Sequence, residues 1–196
     1  IQEGYGLKPD TVAKAAEKGY TLLITVDNGV KAQDALRMAK QLKIDTIVTD
    51  HHVIEEQVNA DILVHPTLME KEYQNLSGAG VALEISRNLI GNREGLNTLA
   101  GVAAITDVMP MWLGTRRLVL NALAQLKQGR PHSLASLLQK NSSVDESSIG
   151  FYIGPKLISV GRMSDVANVN TVPVFLLSQN DAQIASYAAQ LERVNE

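Results

Sequence analysis

Cysteine is absent from all 196 residues. This excludes disulfides and thiolate metal sites and leaves histidine and carboxylate as the available metal ligands. A reducing, cytoplasmic setting fits that composition. No stretch approaches the roughly 18 uninterrupted apolar residues that a membrane helix requires, and the first residues do not form a basic-then-apolar leader, so no membrane association is expected. A basic excess is also missing: 18 Lys and Arg stand against 21 Asp and Glu, for a formal net charge of −3. Modules that bind nucleic acid through phosphates usually carry a basic excess or stripe, so any polyanion site here must be local or metal-mediated. There is no internal repeat and no low-complexity tract. The sequence begins at Ile1 rather than Met, and Glu196 falls inside a helical pattern, so the chain is expected to be part of something longer.

What is present is enough for one substantial core, with 45% hydrophobic residues, or for one domain with an appended helical part. The organising stretch is residues 22–52. An apolar, β-branched run ends at Asp27 in Leu22-Leu23-Ile24-Thr25-Val26-Asp27-Asn28-Gly29, and a second run ends in Thr46-Ile47-Val48-Thr49-Asp50-His51-His52. Little alternation interrupts either run, the pattern of a strand buried on both faces of a parallel sheet. Between them, residues 30–42 place Ala32, Ala35, Leu36, Ala39 and Leu42 on one helical stripe, with Lys31, Asp34, Lys40 and Gln41 elsewhere. Strand, helix and strand make a βαβ unit with a right-handed crossover, so both strands end at one edge of the sheet. Open α/β sheets keep their ligands at that edge, which brings Asp27 towards Asp50, His51 and His52.

On either side the pattern continues. Pro9 and Asp10 open a helix that Gly19 closes, and residues 60–66 read as a third parallel strand stopped by Pro66, after an irregular polar stretch. Ser77 is placed to cap a helix through Gly78-Ala79-Gly80, with Val81, Ala82, Ile85 and Leu89 on its buried face and Gly91 beyond its end. Such a helix N-terminus suits an anion, so Ser77, Gly78 and Gly80 are candidate phosphate contacts; equally, the glycines serve tight packing on the sheet. A small-residue helix over 96–105 leads to Asp107, and further helices are expected over 115–127, 133–139 and 181–193, with a polar loop over 141–148. The fold class is therefore α/β, a parallel sheet with flanking helices over 1–112, followed by a mostly helical remainder over 113–180 and the start of a connector helix over 181–196.

Two carboxylates and two imidazoles at strand ends form a candidate site for a hard or borderline divalent cation. Carboxylates suit Mg²⁺ and Mn²⁺, and imidazole tilts the choice towards Mn²⁺. Two such ions about 3.5–4 Å apart can generate a hydroxide nucleophile and neutralise a phosphoryl group, the chemistry of phosphoester hydrolysis. A lone strand-end Asp is commonly a cap, but adjacent histidines directly after one put several polar groups at one edge, all needing partners.

Thr25-Val26-Asp27-Asn28-Gly29, Val48-Thr49-Asp50-His51-His52 and Thr106-Asp107-Val108-Met109-Pro110 resemble motifs II, III and IV of the DHH phosphoesterase superfamily. Gly4-Tyr5-Gly6-Leu7, residues 75–82, and Gly150-Phe151-Tyr152-Ile153-Gly154-Pro155 followed by Gly161-Arg162 resemble its RecJ branch, the single-strand-specific 5′→3′ exonucleases. The resemblance implies that Asp27 bridges two Mn²⁺ or Mg²⁺ ions, and that His51 and Asp107 complete one ion's shell. His52 would point to the scissile phosphate or sit beside the metal, and Asp50 would orient the histidines. Arg162 would contact phosphate through its fork geometry, or stand in a structural ion pair.

His65 precedes Pro66 where the family tends to have Asn-Pro, and reads as a loop residue rather than a ligand. His132 follows Pro131 without metal-type spacing and reads as a surface residue. The family's acidic first motif does not occur in the chain, nor does its C-terminal substrate-binding domain. Ile158 stands where the family tends to show Asn. The chain alone is accordingly expected to bind metal weakly and to turn over slowly or not at all. The resemblance further implies single-stranded DNA as substrate, a role in DNA repair and recombination, and helicase and single-strand-binding partners. Alternatives are a DHH phosphodiesterase acting on short oligonucleotides, cyclic dinucleotides or pyrophosphate, and a non-catalytic relative that binds DNA or docks a partner.

Overall fold

The structure, a computed structural model, describes residues 6–139, 143–162 and 170–195, with side chains described except at 160–162 and 194–195. The chain divides into two compact units, residues 3–92 with 110–115, and residues 1–2 with 93–109 and 116–196.

The first unit opens with α1 (Pro9–Glu17), where Pro9 occupies the first helical turn and the helix buries Val12 and Ala15. β1 (Leu22–Val26), α2 (Gln33–Gln41) and β2 (Asp45–Thr49) follow. The two strands are parallel and in register from Leu22 opposite Asp45 to Val26 opposite Thr49. β3 (Ile62–Val64) adds in parallel on the far side of β2, so the sheet order is β1-β2-β3. α2 packs Ala35 and Ala39 with Val12 and Ile44 in one apolar cluster, while Leu36 joins Val30 and Val48 in another. A fully buried leucine such as Leu36 contributes about 1.5–3 kcal/mol relative to exposure.

Three details differ from the sequence expectation. β1 is not buried on both faces: Leu22, Ile24 and Val26 are about half exposed while Thr25 is buried. With a period of two, one face of this outer strand packs on the unit and the other is left open. α2 begins at Gln33 rather than at 30, because Gly29 accepts a turn hydrogen bond from the Ala32 amide, and Leu42 ends up exposed beyond its last turn. In α3 (Gly78–Ile90), Val81 and Leu83 are buried while Leu89 is exposed. Ser77 does cap this helix, its hydroxyl accepting the Gly80 N–H at 3.2 Å, and Gly91 closes it at φ 75°.

The second unit is helical. α4 (Glu94–Thr106) packs so closely on α5 (Leu113–Lys127) that a Cβ at Gly101 would stand 2.4 Å from the Leu118 carbonyl. α6 (His132–Ala135) is short. The stretch 141–148, expected as a loop, holds in its described part a helical turn, α7 (Glu146–Ser148), because Asp145 and Ser148 form a reciprocal capping box. A single π-turn, Ile149–Ile153, runs on into α8 (Gly154–Arg162). α9 (Thr171–Leu177) has no counterpart in the sequence expectation, and α10 (Asp181–Asn195) buries Ile184 and Leu191 of its stripe while Ala185 is exposed. The Lys156 ammonium on α8 is buried, donating to the Leu137 carbonyl at 2.9 Å and pairing with Glu192 on α10 at 3.0 Å. Among the described residues no helix is long and apolar enough to cross a membrane.

Candidate metal centre

The parallel ladder does not stop at the strand ends. The Asp27 amide donates to the Thr49 carbonyl at 2.9 Å, and the Asp50 amide to the Val64 carbonyl at 3.3 Å, so both acids are held at the same edge of the sheet. Asp27 then leaves the strand at φ 61°, a left-handed conformation that aspartate and asparagine tolerate better than other non-glycine residues. Two residues on, Gly29 has φ 124°, and a Cβ there would meet the Thr25 hydroxyl at 2.7 Å and Val48 at 2.9 Å. The Asp-Asn-Gly sequence thus makes a turn that few other residue types could make.

Asp50 is 1% exposed and is surrounded by donors. Its Oδ1 accepts the amides of His51 at 2.8 Å and His52 at 3.2 Å and meets His52 Nδ1 at 2.7 Å, while Oδ2 accepts the Val30 amide at 3.1 Å. Burial pushes its carboxyl up, but the His52 side chain and the three amides outweigh it and hold the group below its ordinary value. A carboxylate only accepts, so His52 Nδ1 carries a proton towards it; in the neutral ring Nε2 then keeps its lone pair, the tautomer a metal-binding imidazole needs. His51 is mostly buried, and its Nε2 lies 3.1 Å from Asp27 Oδ1. The two imidazole rings are tilted at 51° with centroids 4.6 Å apart.

One donor atom each from Asp27, His51 and His52 lies within 4.8 Å of the others. Two donors on one divalent ion at about 2.1 Å each lie no more than about 4.2 Å apart, so a small side-chain rotation would close this set on a cation. A carboxylate with two imidazoles is the donor chemistry of Mn²⁺ and related ions. The residues present fit such an ion. Beside them lies an open cleft of about 590 Å³ with Leu7, Asp27, Asn28, Lys31, Asp50 and His52 on its walls.

The remaining predicted residues fall in different places. Gly78, the first residue of α3, lies directly under Asp27: a Cβ there would stand 2.2 Å from Asp27 Oδ1. The Ser77 hydroxyl and the Gly80 amide satisfy each other, and Gly80 packs on Leu76. At these three residues the geometry is that of a cap and of close packing. Asp107 belongs to the second unit, where it ends α4, its amide donating to the Ala103 carbonyl at 2.9 Å. Arg162 lies in α8, and its side chain falls outside the described residues, as do Gly4 and Tyr5 of the Gly-Tyr-Gly-Leu stretch. His132 is exposed and pairs with Asp181 at 2.8 Å.

Two residues at the site do not stand out in the sequence. Lys31 lines the cleft with its ammonium 2.5 Å from Glu55; its place directly after the Asp-Asn-Gly turn is the available signal. His65 is buried rather than being an ordinary loop residue, with Nε2 2.9 Å from the His52 carbonyl. Its position at the end of the third strand, level with the other two strand ends, is the clue.

A three-stranded parallel sheet with flanking helices carries an Asp at the end of one strand and an Asp-His-His at the end of the next, the arrangement expected of a DHH-type fold. The profile of the DHH family N-terminal domain matches residues 3–106, and the chain belongs to that family. Within it, the chain is similar to curated single-stranded-DNA-specific exonucleases named RecJ. It is 32% identical to that of Dickeya dadantii over 221 residues and 28% identical to that of Bacillus subtilis over 204 residues. Each match takes in 100% of this chain, but only 38% and 26% of those relatives, so the chain spans about a quarter to two fifths of their length. Among solved structures, a RecJ from Thermus thermophilus in complex with Mn²⁺ superposes with a TM-score of 0.79 at 26% identity, over 95% of this chain and 29% of that one. An exonuclease RecJ bound to manganese gives 0.80 at 26% identity, over 98% and 50%.

Proposed function

We propose that this chain is the metal-binding core of a RecJ-like nuclease that hydrolyses phosphodiester bonds of single-stranded DNA from the 5′ end, in DNA repair and recombination. The observation that carries the reading is the Asp27, His51 and His52 cluster at the sheet edge, with the buried Asp50 carboxylate behind it. Mn²⁺ or Mg²⁺ held by these residues would supply an activated water and neutralise charge on the phosphoryl group, with two ions belonging to the intact enzyme.

The chain's own residues supply the rest. Asp27 presents a half-exposed carboxylate next to His51, the arrangement a bridging ligand needs, and Asp107 is the further ligand that the family motif supplies. Asp50 fixes the tautomer of His52, which leaves Nε2 to bind metal or to face the scissile phosphate. The N-terminus of α3 at Gly78 adds a partial positive charge next to the Asp27 carboxylate, and a phosphate contact for Arg162 rests on the family motif alone. The cleft of about 590 Å³ beside Asp27 and His52 is open to solvent. Helicase and single-strand-binding partners, and a cytoplasmic setting, belong to this reading through the RecJ relatives.

Mn²⁺ titration by calorimetry on the chain and on Asp27→Asn and His51→Ala tests it, together with cleavage of 5′-labelled single strands, duplexes and dinucleotides. Saturable Mn²⁺ binding that either substitution weakens at least tenfold, with any cleavage confined to single strands, supports the reading. Cleavage of dinucleotides alone would favour a short-oligonucleotide phosphodiesterase. Tight DNA binding without Asp27-dependent Mn²⁺ binding would make the chain a DNA-binding module.

A further inference from the structure

The turn that carries His51 and His52 is held from two sides, and only one of them belongs to the DHH motif. On one side Asp50 accepts both backbone amides and the His52 ring N–H. On the other stands His65, 13 residues further along. It follows β3 directly, in extended backbone at φ −145° and ψ 141°, and begins the 3-10 turn Pro66–Leu68. The residue is 2% exposed, and both ring nitrogens are engaged. Nδ1 accepts the Thr67 amide at 3.2 Å and meets the Thr67 hydroxyl at 2.8 Å, while Nε2 lies 2.9 Å from the His52 carbonyl oxygen.

These partners assign the tautomer. A backbone amide only donates, so Nδ1 accepts; a carbonyl only accepts, so Nε2 carries the hydrogen. His65 is therefore a neutral imidazole that donates to His52, and it is not one of the grouped donor atoms of Asp27, His51 and His52. From this we infer that His65 is a positioning residue: its Nε2–H pins the His52 carbonyl and so fixes the turn that presents the two metal-type imidazoles to Asp27. The His52 peptide is gripped by its amide through Asp50 and by its carbonyl through His65, which removes the rotation by which the imidazoles would drift from the carboxylate. Residues 53–61 follow that turn in irregular backbone, and His65 is the next residue after them at the sheet edge to reach back to the His52 carbonyl. The inference rests on the metal-site reading above and adds to it a determinant outside the Asp-His-His triplet.

The test pairs His65→Gln, whose side-chain amide keeps an N–H donor at nearly the reach of Nε2, with His65→Leu, which fills the space without a donor. Each is compared with the unaltered chain for Mn²⁺ affinity by calorimetry and for thermal midpoint. Loss of a group that orients a ligand typically costs about 10–100-fold in metal affinity. His65→Leu should therefore bind Mn²⁺ at least tenfold more weakly, and His65→Gln should recover most of that loss. Equal affinity in the two variants overturns the inference, whether or not the midpoints differ. Nitrogen-15 spectra of the metal-free, unaltered chain give a second readout, expected to show protonation of His65 at Nε2 only; protonation at Nδ1 would also overturn it. If the unaltered chain does not bind Mn²⁺, the metal-site reading fails, and the nitrogen spectrum still decides the His65 contact.

Discussion

A methyl group at residue 78 would stand 2.2 Å from Asp27 Oδ1 and 2.6 Å from its Cβ, closer than any real contact, so Asp27 would have to move with its backbone. Because Gly78 lies in the first turn of α3 without a positive φ, alanine suits the helix itself. Gly78→Ala should thus keep the helix content by circular dichroism, lower the thermal midpoint through the shift at Asp27, and weaken Mn²⁺ binding tenfold or more in calorimetry; unchanged affinity would mean that Asp27 needs no fixed place. The residues of the site differ in how far the sequence discloses them. Asp27, Asp50, His51 and His52 are readable because they end apolar runs, where unsatisfied polar groups stand out. The role of Gly78 is not, since spacing alone cannot say whether a glycine at a helix start faces an anion or a neighbouring carboxylate. His65 is hidden for a related reason. Its ring contacts the turn that follows a different strand, a proximity that exists only once β2 and β3 pair.

Among the elements, periodicity predicts what tertiary contacts support and fails where local chemistry or an uncovered face decides. The apolar Leu22, Ile24 and Val26 make β1 look doubly buried, yet an outer strand can leave such residues open. The turn α7 is hidden because polar residues over 143–148 read as loop, whereas Asp145 and Ser148 satisfy each other's backbone amides at 2.8 and 3.0 Å. The Ser148 amide, with help from the Ser143 hydroxyl, lowers the Asp145 carboxyl below its ordinary value. A depressed folded-state pKa contributes stability that is present above the unfolded value of about 3.9 and is lost as pH falls through the folded value. Asparagine also caps helices but does not titrate. At neutral pH, Asp145→Asn should lower the thermal midpoint only slightly, and the gap from the unaltered chain should close as the pH falls below about 4. A gap that widened on acidification would reverse the assigned sign.

At the level of the whole molecule, the candidate ligands Asp27, His51 and His52 all lie in the first unit, whereas Asp107 lies in the second. A ligand that binds only the folded state stabilises it by RT ln(1 + [L]/Kd), about 2.7 kcal/mol at a hundredfold excess over Kd. Mn²⁺ at that excess should raise the unfolding midpoint in calorimetric scans of the chain and leave Asp27→Asn unshifted; equal shifts in both would place the ion elsewhere.

Among the described residues, left-handed backbone outside glycine falls at four positions: Asp27 at 61°, Lys43 at 56°, Val108 at 55° and Leu113 at 45°. One is a proposed ligand and another directly follows Asp107. Glycine would relax the backbone at either place. Selection for heat resistance alone would therefore be drawn to Asp27→Gly, a change that improves the turn and deletes the carboxylate. On the proposed reading of Asp27 as a ligand, a lineage that must keep the chemistry can neither relax residue 27 nor exchange it, and the compensating gains have to accumulate elsewhere in the chain.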